Sequence, residues 1–248
     1  MNWSGGKDSS LSLYKVLQGK EYDIKYLLTS INKIHNRISM HGVRTELLRL
    51  QAASIGIPLK LIELPEQPGM DKYELEMEKK LRKIKNEGIN HTIFGDIFLE
   101  DLRKYREEKL QTFGIKASFP LWKISTKILM DEFIALGFKA IIVCVNDKYL
   151  DKSFCGRIID HSFVRDLPDT VDVCGEYGEY HSFVFDGPIF KTPVTFKKGQ
   201  IVYRKYKKPK NDKKECFKPV KREEDNYGFY FCDLIHAEKY NSYMCIKK

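Results

Sequence analysis

The sequence lacks any long apolar run, and this absence excludes a class of protein. The longest uninterrupted apolar stretch, residues 140–145, is far shorter than the roughly 18 residues that a membrane span needs. No basic and then apolar leader precedes the first motif, so we expect no cleaved signal peptide. We therefore expect a protein without a membrane partner.

Paired cysteines are also lacking. None of the six cysteines forms a CxxC pair, and their spacing matches no zinc-binding pattern. Free thiols are typical of a reducing compartment. The cysteine pattern therefore predicts a cytoplasmic protein without a structural zinc ion.

Acidic residues are scarce in one segment only. The 248 residues carry 43 Lys and Arg against 34 Asp and Glu, a formal charge of +9. Residues 197–222 alone hold 12 basic and 2 acidic residues, so the rest of the chain is close to neutral. This basic segment (residues 197–222) is a candidate for binding RNA or an acidic partner, and a solvated loop that favours solubility is the alternative.

Residues 1–146 alternate between strand and helix patterns. Predicted helices cover 7–17, 43–55, 73–86, 102–113 and 127–136, and predicted strands cover 24–29, 58–64, 92–94, 119–122 and 140–145. Strands separated by helices indicate an α/β domain with a doubly wound parallel sheet, similar to a Rossmann fold. Ligands of such sheets bind beyond the carboxyl ends of the strands.

After residue 146 the pattern changes to short strands. The run 180–185 alternates, and the pieces 192–196, 201–206 and 227–235 are strand-like. We therefore predict a smaller α+β subdomain over residues 147–248.

A glycine-rich loop stands where the first strand should pass into the first helix. It consists of Ser4, Gly5, Gly6, Lys7, Asp8 and Ser9. Glycines allow backbone N–H groups to turn towards an anion, and a helix N-terminus adds partial positive charge. With the charge of Lys7 and two serine hydroxyls, the loop is a candidate diphosphate site, and a turn that only caps the helix is the alternative. Only three residues precede it, so the first strand is either unusually short or begins upstream of Met1.

The SGGKDS loop resembles the pyrophosphate loop of the N-type ATP pyrophosphatases, which include asparagine synthetase, argininosuccinate synthetase and transfer-RNA thiolases. The resemblance implies an adenine nucleotide α hydrolase-like fold and cleavage of ATP between its α and β phosphates. Lys7 and the loop amides would hold the leaving pyrophosphate. Mg²⁺ is implied as well, with Asp8 either holding the metal or orienting Lys7.

Later stretches resemble the diphthine–ammonia ligases. These are CGEYGEYHSF at 174–183 with DGPIF at 186–190, GDI at 95–97, Arg106 and Glu108, PLW at 120–122, and the region from Met40-His41 to GIPL at 56–59. The likeness covers about residues 2–190. It implies adenylation of a carboxylate, release of AMP and pyrophosphate, and amide formation with ammonia. The acceptor would lie on an elongation factor. Asp96 departs from the small residue that is usual in that family.

The stretch at 174–183 supplies candidate substrate and catalytic groups. Glu176 and Glu179 are candidates for binding an ammonium-bearing substrate or ammonia, and His181 for a proton shuttle. The alternative is a β-turn with solvated acids. The substrate set predicted around this stretch comprises Gly175, Glu176, Gly178, Glu179, Tyr180 and the more distant Trp122.

Three further residues are assigned to the nucleotide side. His41 is predicted to contact the adenosine or to pack in the core, and Arg106 to contact a phosphate. Asp96 has a metal or substrate role, with a helix cap as the alternative.

These patterns leave three functions open. The leading one is the ATP-dependent ligase of the diphthine–ammonia type that the resemblance implies. Because the sequence shows no glutaminase-like domain, we expect free ammonia rather than glutamine as its nitrogen donor. A transfer-RNA-modifying adenylase would use the basic segment to hold RNA, although the missing CxxC argues against sulfur transfer. A non-catalytic module that binds an adenine nucleotide is the third. The sequence is compatible with a homo-oligomer in each case.

Overall fold

The computed structural model describes residues 1–64, 70–205 and 227–237. The helices are α1 (Lys7–Gly19), α2 (Thr45–Ile55), α3 (Met70–Asn86), α4 (Glu100–Gln111), α5 (Thr126–Ala135) and α6 (His161–Asp166). The strands are β1 (Leu27–Asn32), β2 (Arg37–Ile38), β3 (Leu59–Leu64), β4 (His91–Ile93), β5 (Lys116–Ser118), β6 (Lys139–Asn146), β7 (Tyr180–Asp186), β8 (Phe196–Lys205) and β9 (Gly228–His236).

The first half of the chain contains parallel strands, as its sequence predicts, although β5 lies just before the predicted strand at 119–122. β1 pairs with β3, and β4 pairs with β5, both in parallel. The segment before the glycine-rich loop lies between these pairs, because the Trp3 N–H donates to Leu28 O and the Asn2 N–H donates to Ile93 O, each at 2.8 Å. Parallel strands joined by helices are compatible with a Rossmann-like domain.

The second sheet is antiparallel and has the strand order β7-β6-β9-β8. The placement of residues 140–145 in the parallel sheet is therefore wrong, because β6 pairs antiparallel with both β7 and β9. A strand buried on both faces reads as a continuous apolar run in either kind of sheet, so the sequence did not distinguish them. All of β6 after Lys139 is buried.

Two other predicted strands are wrong, and proline explains both. Residues 119–122 form a turn in which the Trp122 N–H donates to Phe119 O at 3.0 Å. Residues 192–195 are irregular, and one strand, β8, begins at Phe196. Pro120 and Pro193 have no backbone N–H to donate to a sheet ladder.

One hydrophobic core cluster joins the antiparallel sheet to the parallel strands of the first half. It contains fully buried side chains from both halves of the chain, among them Trp3, Leu48, Phe133, Ile142 and Phe183. The division at residue 146 stays a prediction, and β6, just before it, pairs with strands that follow it.

Three predictions from the composition concern the membrane, the cysteines and the basic segment. No helix within the described ranges is long and apolar enough to cross a membrane. Cys144, Cys155, Cys174 and Cys232 are free and buried, whereas Cys216 and Cys245 lie outside the described residues. Of the basic segment, residues 197–205 form most of β8, and residues 206–222 lie outside the described residues.

The shared core predicts a large cost for truncating β6. Ile142 is 0% exposed, so Ile142→Ala should lower the free energy of unfolding by about 2 to 5 kcal/mol through lost apolar contacts and a cavity. Ile128, on α5, is 60% exposed, and Ile128→Ala should change the free energy of unfolding little. Denaturant unfolding measures both values. Equal effects of the two substitutions would contradict the described core.

Candidate active site

A cavity of about 280 Å³ lies over the glycine-rich loop at the start of α1. Its lining includes most of the residues predicted for the site, namely Ser4, Gly6, Lys7, Asp8, Ser9, His41, Asp96, Arg106, Gly175, Glu176, Gly178, Tyr180 and His181. Gly5, Glu179 and Trp122 are not part of this lining. The fold thus brings together residues from four stretches that lie apart in sequence, at 4–9, 41, 96–106 and 175–181.

Side-chain hydroxyls hold the loop in shape. Ser4 Oγ lies 3.1 Å from Ser9 Oγ and accepts a long hydrogen bond of 3.3 Å from the Gly6 N–H. Ser9 Oγ donates to Gly6 O at 2.9 Å. The Lys7 N–H donates to Ser182 Oγ at 3.1 Å, which ties the start of α1 to β7. The loop is therefore fixed by its own serines and by a strand of the second sheet.

Lys7 is a buried cation held by the next residue. It is 4% exposed, and its Nζ donates to both carboxylate oxygens of Asp8, at 2.7 and 2.8 Å. Burial by itself would lower the pKa of Lys7. The negative charges of Asp8 and Glu176 raise it, and the resulting pKa lies above its ordinary value. Lys7 therefore carries a full positive charge at the loop.

The two glutamates of the GEYGEYH stretch occupy different environments. Glu176 lines the cavity, and its Oε1 accepts from the Ile97 N–H at 2.9 Å. Burial, followed by the negative charge of Asp8, raises the pKa of Glu176 to about 7. Glu179 is 1% exposed and accepts from the N–H groups of Asp172 and Tyr177. Glu176 thus lies at the cavity, whereas both carboxylate oxygens of Glu179 accept hydrogen bonds from backbone N–H groups of its own loop.

Two histidines stack at the cavity wall. The rings of His41 and His181 lie 4.4 Å apart between centroids, at an interplanar angle of 22°. Burial lowers the pKa of His41 to about 4, and the nearby charge of Lys7 lowers it further. A hydrogen bond to the Ser182 backbone acts in the opposite direction but is a weaker effect than burial. Burial also lowers the pKa of His181. Both imidazoles are therefore neutral at physiological pH.

The loop that carries His41 is held by β9. Arg37 Nη1 donates to Gly42 O at 2.7 Å and to Asp233 Oδ1 at 2.9 Å. Gly42 has φ +70°, and a Cβ there would lie 2.8 Å from the Phe231 ring. A side chain at position 42 would be strained by this backbone conformation and would also collide with Phe231, so the position requires glycine. No local sequence pattern indicated this support, since Phe231 and Asp233 follow His41 by about 190 residues.

Asp96 and Arg106 form an ion pair on another wall. Arg106 Nη2 lies 3.3 Å from Asp96 Oδ1, and the guanidinium carbon lies 4.3 Å from the centre of the Phe94 ring. Burial raises the pKa of Asp96 against the charge of Arg106. Asp96 does not cap the following helix, because α4 begins at Glu100 with Leu99 in the capping position.

Four buried polar atoms of cavity-lining residues have no hydrogen-bond partner in the described part of the chain. They are His41 Nδ1, Asp96 Oδ2, Arg106 Nε and His181 Nε2. A buried polar atom without a partner costs roughly 1 to 3 kcal/mol, so native proteins pair nearly all of them. Four such atoms belong to residues that line this one cavity, which is therefore unusually polar for a buried part of the described chain.

The remaining predicted residues form the surroundings. Tyr180 OH donates to Val173 O at 2.6 Å, and its ring centre lies 5.6 Å from Lys7 Nζ, so Tyr180 is a wall of the site. Trp122 packs against Phe119 and Arg103, away from the cavity lining.

The donor set for a metal is small. No group of three or more His, Cys, Asp or Glu side chains within the described ranges is arranged to hold a metal ion. Mg²⁺ usually binds one or two protein carboxylates and takes its other ligands from water and phosphate. Asp8, whose side chain is 34% exposed at the cavity, fits that more modest requirement.

Known proteins match both halves of the chain. The diphthamide synthase N-terminal domain family matches residues 1–117, and the diphthamide synthase C-terminal domain family matches residues 125–215. Each half of the site thus falls within a matched region, with Lys7, His41 and Asp96 in the first and Glu176 and His181 in the second.

Individual relatives are similar at low identity. The diphthine–ammonia ligase of Rattus norvegicus is 32% identical over 139 residues, which are 53% of this chain and 50% of the relative. That of Mus musculus is 31% identical over 140 residues, with the same coverage. That of Schizosaccharomyces pombe is 22% identical over 243 residues, which are 86% of this chain and 39% of the relative. The chain spans about half the length of the first two. The two family matches, together with these relatives, show that the chain belongs to the diphthine–ammonia ligase family.

Proposed function

We propose that this chain is an ATP-dependent carbon–nitrogen ligase that adenylates a carboxylate and converts it to an amide with ammonia. The observation that carries the proposal is the cavity itself. Its lining combines five residues of the SGGKDS loop, among them the buried Lys7 cation, with Glu176 and the two histidines. A phosphate-binding loop alone would serve a nucleotide-binding module, but an acid with a pKa of about 7 beside it supports a reaction that transfers protons.

The first proposed step makes the carboxylate reactive. A carboxylate oxygen of the acceptor attacks the α phosphorus of ATP, and the bond to the β-phosphate bridging oxygen breaks, releasing pyrophosphate. Lys7 and the amides at the start of α1 stabilise the charge that develops on this leaving group. Asp8 would hold Mg²⁺, which supplies charge neutralisation at the phosphates when it is bound.

The second proposed step forms the amide. Ammonia attacks the carbonyl carbon of the acyl adenylate, the bond to the phosphate oxygen breaks, and AMP leaves. The attacking nitrogen must lose a proton, and Glu176 is the cavity group suited to accept it. Free ammonia rather than glutamine is the proposed donor.

The acceptor follows from the relatives. These relatives are diphthine–ammonia ligases, so diphthine is the substrate that their names give. We propose diphthine on an elongation factor as the first acceptor to test. We also propose that this chain is cytoplasmic and that its parallel strands form a doubly wound sheet. RNA binding by the basic segment is the alternative, and its support is the charge of residues 197–222, with 12 basic and 2 acidic residues.

The loop assignment predicts the products of ATP. Phosphorus NMR of the protein with ATP, Mg²⁺, ammonium and a cell extract should show AMP and pyrophosphate. Lys7→Ala should reduce their formation by at least about a hundredfold, since it removes the charge that faces the leaving group. The control Lys127→Ala, at an exposed position of α5, should leave the rate unchanged. ADP and phosphate as products, or full activity of Lys7→Ala, would refute the proposal.

The role of Glu176 predicts a pH dependence. Because its pKa is about 7, the fraction of Glu176 able to accept a proton grows as the pH rises from 6 to 8. With an elongation factor that carries diphthine, and at a fixed concentration of un-ionised ammonia, the rate of amide formation should rise over this interval and then level off. Glu176→Gln should slow the reaction by about 10² to 10⁴ and remove the rise.

Glu108 offers the matched control, because it lies on α4 and is largely exposed. Glu108→Gln should retain both the rate and its pH profile. If Glu176→Gln behaved in the same way, Glu176 would not be the base.

A further inference from the structure

We propose that Gln51 is a positioning residue that fixes the direction of the Gly6 N–H in the diphosphate loop. The inference rests on the proposed function only in that the loop must bind a diphosphate. Gln51 lies on α2, does not line the cavity and would contact no substrate.

Gln51 is 0% exposed, and both ends of its side-chain amide are engaged. Its Oε1 accepts from Trp3 Nε1 at 3.1 Å. Its Nε2 donates to Gly5 O at 3.0 Å and also to Val184 O. One side chain thus joins α2 to the segment before the loop, to the loop and to β7.

The bond to Gly5 O matters because of the geometry of the peptide unit. In a trans peptide the C=O and the following N–H point in opposite directions. Gly5 O is held on the core side by Gln51 Nε2 and by the Val184 N–H, at 3.0 and 2.9 Å. The Gly6 N–H therefore points away from the core, where Gly6 lines the cavity. Its single partner in the described residues is Ser4 Oγ, at a long 3.3 Å, which an anion can replace.

The same contact explains the glycine at position 5. Gly5 has φ +72°, and a Cβ there would lie 2.5 Å from Gln51 Oε1 and 2.8 Å from Leu48 Cδ2. The loop is therefore pressed against Gln51 without a side chain between them. Without Gln51, only the Val184 N–H would hold the Gly5 carbonyl, and the peptide could rotate.

Gln51→Met tests this role, because methionine has a similar length but no polar groups to hold the carbonyl. Calorimetry with inorganic pyrophosphate should show a dissociation constant raised about tenfold, as expected for a weakened hydrogen bond to an anion. The Gly6 amide resonance, followed by ¹⁵N NMR, should lose most of its shift on pyrophosphate addition.

Ser54→Ala is the matched control. Ser54, on the same helix, donates to Thr192 O and accepts from the Thr192 N–H at 3.1 Å, so it also joins α2 to the second half of the chain. Its loss should lower the melting temperature but leave pyrophosphate affinity within about twofold, since none of its bonds reaches the loop. Gln51→Glu is a second variant, for the case that Gln51→Met fails to fold. It keeps the acceptor for Trp3 but loses the amide donors, so it should also weaken pyrophosphate binding.

Two negative results are distinguishable. Wild-type protein that binds no pyrophosphate would overturn the proposed function and this inference with it. Wild-type protein that binds pyrophosphate, with Gln51→Met and Gln51→Glu binding equally well, would overturn the positioning role alone.

Discussion

The backbone contact between the glycine-rich loop and β7 is the constraint on which the site depends. The Val184 N–H donates to Gly5 O, and Ser182 Oγ accepts from the Lys7 N–H. β7 also carries Tyr180 and His181, so the bonds that shape the loop bring these side chains to the cavity. The site therefore exists only when the antiparallel sheet is docked on the parallel strands, and the shared core cluster supplies that docking energy.

Much of the loop, but little of its support, could be predicted from the sequence. Ser4 to Ser9 act through their own backbone and the helix they begin, and such local chemistry can be recognised in a short stretch. Gln51 and Asp233 act at sequence separations of 46 and about 190 residues, which only the folded chain reveals. The same limit applies to β6, because an apolar run does not indicate whether its neighbouring strands are parallel or antiparallel.

Burial separates residues that the sequence presents as equivalent. Glu176 and Glu179 stand three residues apart in two identical, consecutive Gly-Glu-Tyr triplets. Glu179 is buried, and both of its carboxylate oxygens accept hydrogen bonds from backbone N–H groups. Glu176 instead lines the cavity near Asp8. The two triplets are identical in sequence, but the turn between them decides which carboxylate lines the cavity.

The charges of the site constrain how a nucleotide can bind. Its two cations, Lys7 and Arg106, are each already paired with a carboxylate, Asp8 and Asp96. The stacked histidines add no charge, because burial keeps them neutral. On the proposed function, a triphosphate binds favourably only if Lys7 exchanges Asp8 for phosphate oxygens. That exchange leaves the Asp8 carboxylate free beside the phosphates, where Mg²⁺ would compensate both charges. On the proposed function, the Lys7–Asp8 pair would thus keep a buried lysine charged before the nucleotide binds, and Asp8 would be the metal ligand afterwards.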